Sequence, residues 1–302
     1  MEPPSGLENF GNTCFFNASI NLLLSCSSFS GEIVNWKETV TCGHLNKVLI
    51  SDDVTRGGEL WSYFKSVVPT LANGRQHDSH EVIMYLFDII EKETKGQTRS
   101  KSRTVSFTGR NYNEILILSA NKYFMDDLDG VPELLRMFNG QYRSIITCSE
   151  CYREKNQWDI YTNLCIHSGI PSVRLFLEDF CSSDEIEYDC EHCKKRTVTR
   201  KKMEIWKLPK VLLFQAVSKN LRQINLTLNL TDKNDTRREY YLKSICFHSG
   251  STFQSGHYYS AILRNNMWYI ANDTCVTGPI DPKVAFPSMI SNIYLLLYES
   301  YV

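Results

Sequence analysis

Two short cysteine pairs, Cys148-Ser-Glu-Cys151 and Cys190-Glu-His-Cys193, constrain this chain more than any other feature. A CxxC turn presents two thiolates with little strain, and a tetrahedral zinc ion takes four of them at about 2.3 Å. Joining the two pairs in one site brings together segments that residues 152–189 separate, as in a zinc ribbon. Each pair falls where strand-like runs give way to turn residues. One structural zinc held by Cys148, Cys151, Cys190 and Cys193 is therefore expected, with no open position for catalysis. Four unrelated buried thiols are the plain alternative, and the repeated spacing argues against it. His192, inside the second knuckle, is expected to face solvent.

The chain of 302 residues has eleven cysteines, an odd number, and opens on Met1-Glu-Pro-Pro-Ser without the charged flank and apolar core of a signal peptide. No apolar run is long enough to span a bilayer, so no membrane association is expected. A cytoplasmic or nuclear location follows, where metal binding and catalysis are better uses of thiols than disulfides. Cys26, Cys42, Cys165, Cys181, Cys246 and Cys275 receive no role. The net charge of −1 offers no global field to nucleic acid, and a monomer is expected. The basic runs Lys194-Lys-Arg196 and Arg200-Lys-Lys202 keep a nucleic-acid-binding zinc ribbon as a minor alternative.

Residues 1–95 read as mainly helical. In the stretch from Asp78 to Glu91, Val82, Leu86, Ile89 and Ile90 recur as one face of an amphipathic helix should. Gly96 to Arg110 is polar and basic and reads as a loop. From about residue 140 the texture changes to β-branched and aromatic runs, including Tyr142–Cys148, Val211–Phe214, Tyr240–Phe247 and Asn292–Tyr298. Helices first and a sheet afterwards argue for an α+β fold.

The N-terminal stretch Gly6-Leu-Glu-Asn-Phe-Gly-Asn-Thr-Cys14 runs into the apolar segment Phe15–Cys26. Asn12 or Thr13 can cap a helix that starts at Cys14, where the dipole and unpaired N–H groups lower a thiol's pKa. A cysteine beside two phenylalanines is, on composition alone, as readily a small buried hydrophobe. A nucleophile also needs a base. Ser255-Gly-His-Tyr-Tyr-Ser-Ala-Ile-Leu-Arg264, Asn265-Asn266 and Met267–Asp273 read as a hairpin with a two-residue type I′ turn. That register puts His257 on the face of Tyr259 and Asn272, within side-chain reach, and turns Asp273 away. A three-residue loop would favour Asp273 instead. The constellation expected is Cys14 as nucleophile, His257 as base and Asn272 as orienter, with an oxyanion met by the Cys14 N–H and the amide of Asn9 or Asn12.

These residues resemble a known family. Gly6–Asn17 resembles the cysteine box of the ubiquitin-specific proteases, and Gly256–Ala261 with Trp268–Val276 resembles their histidine box. Gln76-His-Asp-Ser-His-Glu81 is similar to the family's Gln-Gln-Asp motif, and the paired CxxC to its zinc-bearing fingers. The resemblance implies a papain-like fold over 1–302: a mainly helical thumb to about 138, zinc-ribbon fingers over about 139–205, and a β-rich palm from about 206. It implies cleavage after the C-terminal Gly-Gly of ubiquitin or a relative, with Cys14, His257, Asn272 and the oxyanion donor Asn9 as catalytic residues and Asp273 in support. Asp78 and Glu81 match acidic positions near the incoming, arginine-bearing tail. Ubiquitin conjugates are the expected partners. An interferon-induced ubiquitin-like modifier, or a weakly catalytic modifier-binding protein, are the alternatives. Departures from the pattern fall at His77, at Val82 and in Phe214–Asn220, where the family's His-Leu-Lys-Arg-Phe ending is missing.

Overall fold

Apolar residues at helical spacing build the first half of the chain. The computed structural model describes residues 4–71, 73–94, 112–252 and 255–301. In order come α1 (Cys14–Leu24), α2 (Ser27–Asn35), α3 (Val40–Ile50), α4 (Gly58–Val67), α5 (Ser79–Thr94), α6 (Tyr112–Asp127) and the short α7 (Glu133–Arg136). Every residue of α1 except Asn21 is buried, because the helix is wedged between α5 and the strands behind it. Val82, Leu86, Ile89 and Ile90 form the buried face of α5, as their periodicity requires. The loop expected over 96–110 lies outside the described residues. No helix among the described residues is long and apolar enough to cross a membrane.

The second half supplies β1 (Gly140–Thr147), β2 (Glu154–Tyr161), β3 (Leu164–Ile166), α8 (Val173–Phe180), β4 (Ser183–Asp189), β5 (Arg196–Lys207) and β6 (Val211–Ala216). These are followed by β7 (Thr227–Thr231), β8 (Arg237–Thr252), β9 (Ser255–Arg264), β10 (Met267–Asn272), β11 (Cys275–Ile280), α9 (Pro282–Met289) and β12 (Ile293–Ser300). Among the described residues the strands form two sheets. The smaller runs β2-β1-β5-β4; the larger runs β11-β10-β9-β8-β12-β6-β3, with β7 also beside β8. Only the β3–β6 pair is parallel among those described.

The larger sheet separates two cores. Tyr294, Leu295 and Leu297 of β12 pack with α1, α4 and α5 on one side, and Ile293, Leu296 and Tyr298 pack with α8 and α9 on the other. All eight residues of β12 are therefore buried, which explains its near-continuous apolar sequence. Each fully buried leucine there contributes about 2 kcal/mol.

In the smaller sheet the basic strand β5 lies beside the acidic strand β4, pairing Arg196 with Asp189, Arg200 with Glu185 and Lys201 with Asp184. Arg196 also forms an ion pair with Glu187. The basic run is thus balanced by its neighbour rather than presented as a lone positive stripe.

Candidate active site and metal centre

The lead-in to α1 is shaped by its asparagines. Gly11 and Asn12 adopt left-handed backbone, with φ of 88° and 54°. Neither expected cap works as one. The Asn12 amide donates to the carbonyl of Gly74 at 2.9 Å, and the Thr13 hydroxyl accepts from Phe10 N and donates to Asn9 Oδ1. The carbonyl of the Asn9 side chain also accepts from the N–H groups of Gly11 and Thr13, both at 3.0 Å. This fixes the amide's orientation and turns its Nδ2 toward Asp273 Oδ2, 2.9 Å away. Asn9 rather than Asn12 thus faces the histidine-bearing hairpin.

Cys14 is the first residue of α1 and is only 3% exposed. The helix start alone led to an expected fall in the thiol's pKa; the structure corrects this. Burial pushes the thiol up, and the carboxylate of Asp273 adds to the rise, against the N–H groups of Tyr258, Phe15 and Cys14 itself, which favour the thiolate. Desolvation outweighs the helix start because the sheet closes over the sulfur.

The amide of Tyr258 that reaches Cys14 belongs to β9, one residue beyond His257. The hairpin turn has two residues, with φ of 50° at Asn265 and 60° at Asn266, and the ladder pairs Arg264 with Met267 through Ser260 with Ala271. Continued by one residue, it sets Tyr259 opposite Asn272 and leaves His257 on their face. The His257 Nε2 lies 2.6 Å from Asn272 Oδ1. A carbonyl oxygen only accepts, so Nε2 carries the hydrogen and Nδ1 keeps its lone pair in the neutral ring. The imidazole also stacks on Tyr259, 6.4 Å between centroids.

Asp273 points the other way. Its φ is 48°, and its carboxylate accepts from Asn9 through one oxygen and from Asn17 through the other, at 2.8 Å. Its own carbonyl accepts from Leu7 N, an approach so close that a Cβ on Gly6 would sit 2.2 Å from that oxygen. Asn17 was not singled out in the sequence. The signal was there, however: an amide in the middle of a buried apolar helix must find partners.

Asp78 and Glu81 lie at the start of α5, and they differ. Glu81 is exposed. Asp78 accepts from His80 N through Oδ1 and from the Tyr294 hydroxyl through Oδ2, so its carboxylate is already held by the protein. His77 donates through Nε2 to Asn73 Oδ1 at 2.8 Å and packs edge-on against Phe15, the residue after Cys14. Val82 is fully buried in the helical core.

The four cysteines of the paired motif come together at the tip of the smaller sheet, their sulfurs all within 4.8 Å of one another. The two knuckles repeat one geometry. Tyr152 N donates to Cys148 O and Lys194 N to Cys190 O, with φ of 57° and 58° at Tyr152 and Lys194. The Cys148–Cys193 and Cys151–Cys190 sulfurs are 3.8 Å and 3.7 Å apart. A tetrahedron with bonds of about 2.3 Å has edges of about 3.8 Å, so the donor set fits a four-thiolate metal site. His192 is exposed and outside the set.

A thiol at the start of a buried helix, facing a sheet strand whose imidazole is steered by a side-chain amide, is the layout of the papain-like cysteine hydrolases. The chain belongs to the ubiquitin carboxyl-terminal hydrolase family, whose model matches residues 5–298. It is 24% identical to ubiquitin carboxyl-terminal hydrolase 25 of Arabidopsis thaliana over 91% of its own length and 44% of that protein's. It is 25% identical to ubiquitin carboxyl-terminal hydrolase 3 of Homo sapiens over 97% of its length and 67% of that protein's. Among solved structures, it resembles the SAGA Ubp8/Sgf11/Sus1/Sgf73 DUB module bound to ubiquitin aldehyde, with a TM-score of 0.76 at 18% identity, covering 99% of this chain and 70% of that one. A substituted form of that module bound to monoubiquitin gives 0.75 at 20% identity, covering 100% and 72%.

Proposed function

We propose that this chain is a thiol-dependent isopeptidase that removes ubiquitin, or a close relative, by cleaving after the modifier's C-terminal Gly-Gly. The observation that carries the reading is the His257–Asn272 contact of 2.6 Å on the strand whose next amide reaches Cys14, in a chain of this family. His257 Nδ1 takes the Cys14 proton as the sulfur attacks the carbonyl carbon of the terminal glycine. The Cys14 N–H and the Asn9 amide hold the oxyanion, and collapse expels the lysine amine, which leaves with the proton from His257. A water deprotonated by His257 then attacks the thioester, releasing the modifier's carboxylate and restoring the thiol. Glu81, exposed at the start of α5, is the better placed of the two acidic residues to meet an incoming arginine.

The four cysteines hold one structural zinc in the same reading, which ties the two knuckles into one folded tip. With four protein thiolates the ion has no open position, so its role is to fix the fold.

Panels of C-terminal fluorogenic and isopeptide-linked substrates test the proposal. Ubiquitin should exceed other modifiers in kcat/KM by about tenfold, or about 1.4 kcal/mol of transition-state discrimination. An inverted order would assign the chain to a ubiquitin-like modifier, with Phe214–Asn220 as the first segment to exchange. A second reading, a modifier-binding protein with little turnover, draws on one observation: burial and Asp273 both hold Cys14 toward its protonated form. Binding of modifier without turnover would select it.

A further inference from the structure

Gln76 opens the Gln76-His-Asp-Ser-His-Glu81 motif just before α5. Its side-chain carbonyl accepts a hydrogen bond from the N–H of Gly256 at 2.8 Å. The two residues belong to different halves of the fold: Gln76 precedes α5 in the helical half, and Gly256 immediately precedes His257 on β9. The ladder between β8 and β9 is regular from Ser244–Ile262 to Ser249–His257 and then loses register before Thr252–Ser255. Gly256 falls in that irregularity, so its N–H lacks a regular ladder partner and takes a side-chain one instead.

The position also tolerates no substitute from its own residue. A Cβ on Gly256 would sit 2.4 Å from the carbonyl oxygen of Ser249 and 2.6 Å from His248 Nε2. The backbone entering His257 is therefore a bare glycine in an irregular stretch of strand, fixed on its far side by one amide from the other half of the molecule. Cys14 and His257 belong to different halves, and the Gln76–Gly256 bond joins those halves beside the base.

We propose that Gln76 is a positioning residue. Its carbonyl pins the Gly256 N–H and so fixes the His257 backbone relative to α1, acting on catalysis through His257 and not through the substrate. This rests on the proposed reading of Cys14 and His257 as nucleophile and base. A misplacement of about 1 Å between such groups costs on the order of 100-fold in rate.

The test compares Gln76→Met, which keeps the length and removes the acceptor, with Gln76→Glu, which keeps an acceptor oxygen. Both are measured on a ubiquitin fluorogenic substrate and by the pH profile of Cys14 alkylation without substrate. Gln76→Met should lose roughly 10- to 100-fold in kcat with KM changed less than about twofold, and its alkylation should need higher pH, because a displaced imidazole stabilises the thiolate less. Gln76→Glu should recover most of both. An unchanged kcat in Gln76→Met overturns the inference. So does a rise in KM alone, which would mean substrate contact, or a Glu variant no better than Met, which would mean a packing role. If Gln76→Met does not fold, Gln76→Glu still decides, since near-parent kcat supports the acceptor role and a loss comparable to His257→Ala removes it. Failure of the parent protein to turn over any modifier substrate would instead strike at the functional reading itself.

Discussion

Asn17 donates to Asp273 Oδ1 at 2.8 Å, joining α1 to the end of the histidine hairpin across 256 positions of sequence. The other oxygen of the same carboxylate holds Asn9. One acidic side chain thereby sets the distance between the turn before Cys14 and the hairpin. Asn17→Ala should destabilise the fold by about 1–3 kcal/mol, because it strips a half-buried carboxylate of one donor. It should also lower kcat, with the roughly 10²–10³-fold loss of Asn9→Ala as the upper bound. Melting curves alongside steady-state kinetics check this, and a kcat untouched by Asn17→Ala would show that Asp273 does not govern Asn9.

Asn272→Ala should cost more turnover than Asp273→Ala. Asn272 accepts directly from the imidazole, whereas Asp273 faces the other side of the hairpin and acts through Asn9. Single-turnover rates on one substrate give the order, and its reversal would transfer the orienting role to Asp273.

Cys14→Ala should abolish turnover and capture by C-terminal electrophile probes while leaving modifier binding and the fold intact. His257→Ala should be nearly as damaging, since nucleophile and base act as one unit. Residual hydrolysis in purified Cys14→Ala would refute the assignment of the nucleophile.

The Asp273 carboxylate raises the Cys14 thiol, so Asp273→Asn should shift Cys14 alkylation toward lower pH. The sign follows from charge: removing a neighbouring anion makes the thiolate easier to form. Turnover should fall in the same variant, because a neutral amide holds Asn9 less firmly than a carboxylate. A shift toward higher pH would mean that Asp273 is not a charge felt by the sulfur.

One zinc per chain is expected by metal analysis of folded protein, and Cys190→Ser should unfold the tip of the smaller sheet, since structural zinc binding is folding free energy. His192→Ala should leave the zinc content unchanged, as that side chain lies outside the ligand set. Well-folded protein without zinc would remove the metal from the account.

What the sequence made legible was local. The Asn265-Asn266 turn fixes its own type, and the period of two then places His257 with Asn272. Each CxxC fixes its own knuckle, and pairing the two knuckles, like pairing Cys14 with His257, was a step taken over distance on chemistry rather than on spacing. The contacts that escaped are side-chain bonds between remote segments: Asn17 with Asp273, Gln76 with Gly256 and Tyr294 with Asp78. No spacing rule connects such residues, because the fold alone brings them together. The Cys14 thiol shows the same division. Its place at a helix start could be read from the neighbouring residues, but its burial depends on β9, which the chain reaches more than two hundred positions later. The caps failed for a related reason, since Asn12 was recruited by Gly74 from another loop.

The position of β12 has a consequence for the order of events during synthesis. It follows every other described strand in sequence, yet it lies between β8 and β6, inside the larger sheet. A ribosome releases Cys14 long before it releases the strand that both cores need. Until residues 293–300 emerge, β8 and β6 lack their shared neighbour, and the apolar faces meant for it stay open to water. Chains stalled short of that strand should carry a thiol but show no hydrolysis, while those that include it should gain activity together with protease resistance. On the proposed reading, the reactive thiol would then be put to work only once the strand shared by both cores has arrived.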